Sequence, residues 1–351
     1  MGIGRLHSAH LDRLVAEVDG RGGLGTPAAA AHLADFQLDF DVRIDTALDP
    51  FSAEYFGQQQ ALYEEMAGRG LDQTTGEMTA LDVDEHVAGS NPLNLTDVRH
   101  VCKHARAVLT AVMMADLPPG ASVLDAGCGW GLSSEVMAFC GAKVTGVDIN
   151  PRFAELVRRR AERLGLPVRA ECCGFDRFDT PERFDLLFFY ECLHHSLRPW
   201  ETLGRLGRLV RAGGKVVMAG EPVNAVWWPH WGLRLDAVSV YCVRKFGWWE
   251  SGWTPEFITA CFARAGFRLE LHPHVGLDNG LIGVGVREAE VGLATVDTGV
   301  LAPLREAEGR LAAAAAEGTA LRNEVRMLRR SKSWRLTAPL RALFRALGLS
   351  G

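Results

Sequence analysis

The segment Val123-Leu-Asp-Ala-Gly-Cys-Gly-Trp-Gly131 constrains the fold more than any other part of the chain. An apolar run ends on an acid at Asp125, and Gly127, Gly129 and Gly131 then lead into a helical pattern. Glycines at this spacing allow a tight turn and leave the backbone open to a ligand that a side chain would block. A second apolar run, Lys143 to Asp148, also ends on an acid. A carboxylate at that point can accept both hydroxyls of a ribose.

The surrounding rhythm agrees. A helix around Val101 to Ala115 is closed by Pro118-Pro119-Gly120. Strands are expected at Ala121 to Asp125, Lys143 to Asp148, Val168 to Cys172, Phe184 to Tyr190 and Lys215 to Ala219. Helices are expected at Leu132 to Cys140, Pro151 to Leu164 and Pro199 to Val210. A helix from Thr254 to Ala265 and two strands, Phe267 to Val275 and Leu281 to Val286, close the pattern. This alternation predicts an α/β fold with a doubly wound, Rossmann-like sheet and helices on both faces.

The glycine turn separates two ligand classes. Nicotinamide-binding proteins carry G-x-G-x-x-G, whereas this chain has Asp-x-Gly-Cys-Gly-x-Gly. An acid at Asp125 is ill suited to a pyrophosphate and well suited to a sulfonium and an ammonium. On these residues the chain resembles the class I S-adenosylmethionine-dependent methyltransferases, over roughly Ala121 to Arg287. The matching pieces are Val123–Gly131, Val144–Asp148, Phe184–His195 and the Leu209–Ala219 segment. The resemblance implies a seven-stranded methyltransferase sheet with S-adenosyl-L-methionine as cofactor. It places Asp125, Gly127, Cys128, Gly129 and Tyr190 at the cofactor, Asp148 on the ribose, Ile149 against the adenine and Asp176 near the adenine amino group.

Phe189-Tyr-Glu-Cys-Leu-His-His195 follows the fourth strand, where ligands bind in open α/β sheets. Glu191, His194 and His195 are the catalytic candidates. Methyl transfer to a hydroxyl needs that proton removed, and an imidazole with a pKa of ~6.5 suits the task at neutral pH. A packing role for the histidines stays open, because Leu-His-His is common at this place in the family. The H-x-x-E and Cys/His spacings of zinc sites are absent, and no metal is expected.

Six of the nine tryptophans fall between Trp227 and Trp253, inside an insert at residues 221–253. Trp227, Trp228, Trp231, Tyr241, Arg244 and Trp248 are its candidate acceptor-binding residues, since aromatic faces beside cations suit a sugar, a flat ring or an anion. A core or subunit-contact role for these tryptophans is the competing reading. Residues 1–100 form an acidic extension and candidate substrate cap, with a helix expected from Ser52 to Met66. Asp35 to Asp49 lacks calcium-loop spacing and reads as an extended, solvated face. The extension, from Leu48-Asp-Pro-Phe51 to Tyr63 and again at Asn91-Pro-Leu-Asn94, resembles that of methyltransferases in bacterial surface-polysaccharide clusters.

Beyond the cofactor domain at 101–290, Leu304, Leu311, Gly318 and Val325 share one heptad position, and Ala307, Ala314, Leu321 and Leu328 the other. Residues 300–330 are therefore read as a short coiled coil able to self-associate. From Leu321 onward eight bases face only Glu324, a net +7, against -5 for the whole chain. Ser331-Lys-Ser-Trp-Arg-Leu-Thr-Ala-Pro-Leu-Arg341, in a basic amphipathic tail at 331–351, resembles a segment attached to bacterial glycosyltransferases. Such a tail suits an anionic membrane surface or an acidic partner such as a glycosyltransferase complex, or it is simply solvated. Nucleic acid is disfavoured, because the acidic body repels it and no recognition motif is present.

No run of ~18 apolar residues suggests a membrane span. Met1 to His10 lacks the order of a signal peptide, and the eight cysteines are scattered without a C-x-x-C pair. A cytoplasmic enzyme with reduced thiols, held at a membrane only through its tail, is the expectation. The function expected is O-methylation of a sugar or glycan intermediate in surface-polysaccharide synthesis. The alternatives are a small aromatic or lipid-like acceptor, a cofactor-binding interaction module without turnover, and, more distantly, a nicotinamide oxidoreductase.

Overall fold

Phe184–Tyr190 shows why the sheet forms as it does. Phe184, Leu186, Leu187, Phe188 and Phe189 are all fully buried, as a parallel strand covered on both faces requires. The structure is a computed structural model and describes residues 2–73, 81–175, 177–273 and 281–287. The coiled coil at 300–330, the tail at 331–351 and Asp176 lie outside the described residues.

In chain order the elements before the central sheet are β1 (Arg5–His7), α1 (Leu11–Asp19), α2 (Pro27–Leu33), β2 (Gln37–Asp39), α3 (Ala53–Ala67), α4 (Val83–Ala88) and α5 (Val98–Ala115). The sheet region follows with β3 (Ser122–Ala126), α6 (Leu132–Phe139), β4 (Lys143–Asp148), α7 (Pro151–Leu164), β5 (Val168–Cys172), β6 (Phe184–Tyr190), α8 (Pro199–Leu206) and β7 (Val210–Ala219). The insert holds β8 (Trp231–Leu233), α9 (Ala237–Phe246) and β9 (Ser251–Trp253). The described chain closes with α10 (Pro255–Arg264), β10 (Phe267–Pro273) and β11 (Leu281–Arg287).

Seven strands form the central sheet in the order β10-β11-β7-β6-β3-β4-β5, with β11 antiparallel to both its neighbours and every other pair parallel. From β3 the chain steps outward through β4 to β5, then returns to the other side of β3 at β6. Right-handed crossovers in opposite directions put α6 and α7 on one face and α8 on the other. The reversal opens a crevice at the carboxyl ends of β3 and β6, the place where such sheets bind ligands.

Local signals explain the element ends. Ser52, Asn150 and Thr254 cap their helices through side-chain oxygens. Helix α5 begins three residues earlier than the Val101 reading, because Asp97 accepts from the N–H groups of Arg99 and His100. Helix α8 stops at Leu206 rather than Val210: Val210 already pairs with Phe184, and β7 is correspondingly longer than Lys215 to Ala219.

The insert contains α9 and the β8–β9 ribbon. Its tryptophans serve packing. Trp231, Trp249 and Trp253 are among the largest fully buried side chains. Helix α3 docks on them: Tyr55 Oη donates to the Trp231 carbonyl at 2.7 Å, Tyr63 Oη to the Gly247 carbonyl at 2.7 Å, and Trp231 Nε1 to the Pro50 carbonyl at 2.7 Å. The N-terminal residues thus share one core with the insert. A second tie is Arg160, fully buried on α7, which pairs with Glu135 and donates to the carbonyls of His86 and Gly89 at 2.7 and 2.9 Å.

Candidate functional site

The turn after β3 is built by backbone geometry. Gly127, Gly129 and Gly131 have φ of 70°, 48° and 85°, the left-handed region that glycine tolerates. The N–H groups of Gly127 and Cys128 both donate to the Val147 carbonyl, at 2.7 and 3.1 Å, so the turn folds over the end of β4. The three glycines do different jobs. A Cβ on Gly127 would lie 2.7 Å from Cys192 Cβ, and one on Gly131 2.7 Å from Val157. A Cβ on Gly129 would meet nothing within 4 Å, because Gly129 faces open space.

That space is a cavity of about 920 Å³. Gly127, Cys128, Gly129, Asp148, Ile149 and Tyr190 all line it. Asp148 Oδ2 accepts from Gly129 N–H at 2.8 Å and Oδ1 from Asn150 N–H at 2.8 Å, which fixes the carboxylate at the cavity edge. Cys128 and Cys192 also line the cavity. Burial first, and the charges of neighbouring acids second, push both thiols well above their ordinary pKa, so neither supplies a thiolate near neutral pH.

Asp125 departs from the expectation. It is fully buried behind the turn rather than on the lining, and its Oδ2 accepts from Ser133 Oγ at 2.7 Å and Ser134 Oγ at 2.6 Å. Its Oδ1 has no hydrogen-bond partner. Burial raises its pKa to about 6 against the two serine hydrogen bonds.

His194 and His195 separate sharply. His195 lines the cavity and its Nδ1 lies 2.8 Å from the Trp249 carbonyl. His194 is buried and absent from the lining, which corrects its placement among groups able to reach substrate. Its Nδ1 is 2.8 Å from Glu221 Oε2 and its Nε2 is 3.7 Å from Glu250 Oε2. Glu221 was not foreseen. Its carboxylate also accepts from the N–H groups of Cys192 and Leu193 at 2.9 Å and His194 at 3.1 Å, and so holds the whole turn after β6.

Glu191 lines the cavity with φ at 50°, a strained conformation for a residue bearing a side chain. Beside it stands His104, on α5 and also on the lining. Its Nδ1 is 2.5 Å from Tyr190 Oη and 3.6 Å from Glu191 Oε2. Sequence reading missed His104; its one signal was the His100–His104 pair, a helical turn apart.

Of the six candidate acceptor residues in the insert, only Trp248 lines the cavity. Trp231 and Tyr241 are core residues, and Trp228 donates from Nε1 to the Leu233 carbonyl at 2.7 Å. Trp227 lies under the Arg234 guanidinium, and Arg244 pairs with Asp12 at 2.8 Å. The aromatic run was spent on joining the insert to the N-terminal helices. The cavity is lined instead by Phe56, Gln73, Leu93 and His100 from the N-terminal region and by Leu197 and Arg198 before α8.

Residues 123–214 match the family model of a methyltransferase domain. The ubiquinone biosynthesis O-methyltransferase of Coxiella burnetii is 35% identical over 98 residues, 28% of this chain and 42% of that protein. That of Methylocella silvestris is 38% identical over 101 residues, 28% and 40% of the two chains. The chain spans less than half the length of these curated relatives. Among solved structures, the 1,6-didemethyltoxoflavin-N1-methyltransferase of Burkholderia thailandensis aligns with a TM-score of 0.42 and 23% identity, over 60% of this chain and 92% of that one. A SAM-dependent methyltransferase from Aquifex aeolicus gives 0.42 and 17%, over 59% and 98%. Residues 123–214 are thus similar to a methyltransferase domain.

Proposed function

We propose that the chain is an O-methyltransferase that uses S-adenosyl-L-methionine to methylate a hydroxyl of a sugar or glycan intermediate in surface-polysaccharide synthesis. The observation that carries the methyltransferase reading is the pairing of Gly129 and Asp148: bare backbone facing open space beside a fixed carboxylate. This cradle fits a nucleoside with an attached amino acid. Gly127, Cys128 and Gly129 would lie against its amino-acid end, Asp148 would take the ribose hydroxyls, and Ile149 would pack on the base. The cofactor supplies a methyl already activated on a sulfonium, so the protein's work is alignment and exclusion of water.

The chain's own residues supply the rest. His104 and His195 line the cavity with Tyr190 and Glu191, as does His100. His104, which faces both the Tyr190 hydroxyl and the Glu191 carboxylate, is the stronger candidate to receive the acceptor's proton. His194 and Glu221 hold the turn that presents His195. The glycan acceptor rests on the polysaccharide-type extension and the glycosyltransferase-like tail. Through 300–330 and 331–351 the chain would pair with itself, a glycosyltransferase or an anionic membrane. Among the described residues no helix is long and apolar enough to cross a membrane.

A second reading, a small aromatic or lipid-like acceptor, is favoured by the names of the curated relatives. Calorimetry with S-adenosylhomocysteine tests the cofactor site, and methyl transfer to nucleotide sugars, lipid-linked glycans and phenols tests the acceptor. Turnover on phenols alone overturns the glycan acceptor. Cofactor binding without turnover on any acceptor favours an interaction module.

A further inference from the structure

Three guanidinium groups line the same cavity and have no part in the chemistry above. Arg198 sits at the N-cap of α8, Arg205 in its last turn and Arg208 in the single turn that follows. At steps of seven and three residues they share one face. The lining also carries three acids, but two of them are engaged away from the strip. Asp148 is engaged with backbone N–H groups and Glu191 stands beside His104. Glu201 pairs with Arg198, at 3.2 Å.

Arg205 and Arg208 make no ion pair among the described residues. Arg205 Nη2 donates to the Phe178 carbonyl at 3.3 Å, while its Nε is shut away from solvent with no acceptor. A buried donor left without a partner is costly unless a ligand completes it. Arg198 is held in place over the Phe56 ring, 4.7 Å from its centroid. The cavity therefore pairs an aromatic wall of Phe56 and Trp248 with a strip of positive charge.

A strip of guanidiniums along ~15 Å of helix axis suits a ligand with several oxygens and more than one negative charge. We propose that Arg198, Arg205 and Arg208 bind a diphosphate on the acceptor, which makes the acceptor a diphosphate-linked sugar. The proposal rests on the methyltransferase reading of this cavity and narrows its substrate class. Diphosphate sugars come linked to a nucleoside or to a polyprenyl lipid, and the binding chemistry is the same for both.

The test is calorimetry of the full chain with inorganic pyrophosphate, with and without saturating S-adenosylhomocysteine, for wild type, Arg205→Gln, Arg208→Gln and Arg205→Lys. Wild type should bind pyrophosphate, and each Gln variant should bind it ~10-fold more weakly with S-adenosylhomocysteine affinity unchanged. Arg205→Lys should recover part of the loss, because it restores charge without the fork. Absence of pyrophosphate binding, or equal binding by the Gln variants, overturns the proposal. So does a parallel loss of S-adenosylhomocysteine affinity, which would assign the arginines to the cofactor. Failure of wild type to bind S-adenosylhomocysteine while pyrophosphate still binds would instead remove the methyltransferase reading and leave an anion site. Methylation of UDP-glucose against a polyprenyl-diphosphate-linked glucose then identifies the carrier, and turnover on neither, with turnover on neutral glycans, overturns the assignment.

Discussion

His194 Nδ1 lies 2.8 Å from Glu221 Oε2, with both side chains buried, at the point where the ends of β6 and β7 meet. Burial works to raise the Glu221 pKa, but the His194 charge and the hydrogen bonds from His194, Cys192 and Leu193 outweigh it, and the net shift is downward. A carboxylate whose folded pKa is depressed contributes stability above its unfolded value of 4.5, and that contribution is lost as pH falls through the folded value. Glu221→Ala should cost ~3 kcal/mol at pH 7, because it strands a buried imidazole and three N–H donors. Urea midpoints of wild type and Glu221→Gln, followed from pH 6 to pH 3, should converge on acidification. Parallel curves over that range would remove Glu221 as the group responsible.

Asp125 titrates in the opposite sense. Its folded pKa, raised to about 6 by burial, exceeds the ordinary carboxyl value of 3.8. The native state therefore holds the proton more tightly, and stability from this group is present below the unfolded value and lost as pH rises through about 6. Asp125→Asn abolishes that dependence. Between pH 4 and pH 7 the variant should gain on wild type by on the order of 2–3 kcal/mol, over a constant offset from the unpaired amide N–H. Denaturation at several pH values measures it, and a pH-independent difference contradicts the assignment.

Much of the fold and half of the site were legible, for a physical reason. The cofactor turn is a local feature: Gly127, Gly129, Gly131 and Asp148 act through backbone geometry that sequence spacing encodes. The strands and helix caps are local in the same sense. The surroundings of the turn after β6 were not legible, because they are assembled from distant segments. His104 reaches Glu191 across 87 positions of sequence, and Glu250 reaches His194 across 56. The tryptophans misled for a related reason. Their aromatic surface is as well suited to a core as to a pocket, and only the docking of Tyr55 and Tyr63 from α3 decides between them.

The glycine turn yields a comparison of two variants. Gly127→Ala pushes a methyl into Cys192 and should lower stability by ~1–3 kcal/mol. In Gly129→Val the added Cβ meets nothing within 4 Å, so the main folding cost is the ~1–2 kcal/mol of strain at φ 48°. Its side chain projects into the cavity and should nearly abolish S-adenosylhomocysteine binding. Denaturation and calorimetry on both proteins separate the roles, and unaltered affinity in Gly129→Val would mean that the cofactor lies elsewhere. Asp148→Ala should weaken the same binding without abolishing it.

Glu191 offers a test in which stability and activity move apart. Its φ of 50° is strained for glutamate and relaxed for glycine. Glu191→Gly should therefore raise stability by up to ~1 kcal/mol, unless lost contacts of the side chain over Gly220 cancel the gain. The same change removes the carboxylate that faces His104, 3.6 Å from its Nδ1. With cofactor saturating, turnover should fall and the acid limb of the pH–rate profile should shift, since that carboxylate stabilises a protonated imidazole. His104→Gln should lower turnover ~10²-fold or more at neutral pH and flatten that limb, whereas His195→Ala should leave its shape in place. A profile that keeps its limb in His104→Gln and loses it in His195→Ala would transfer the proton-accepting role to His195.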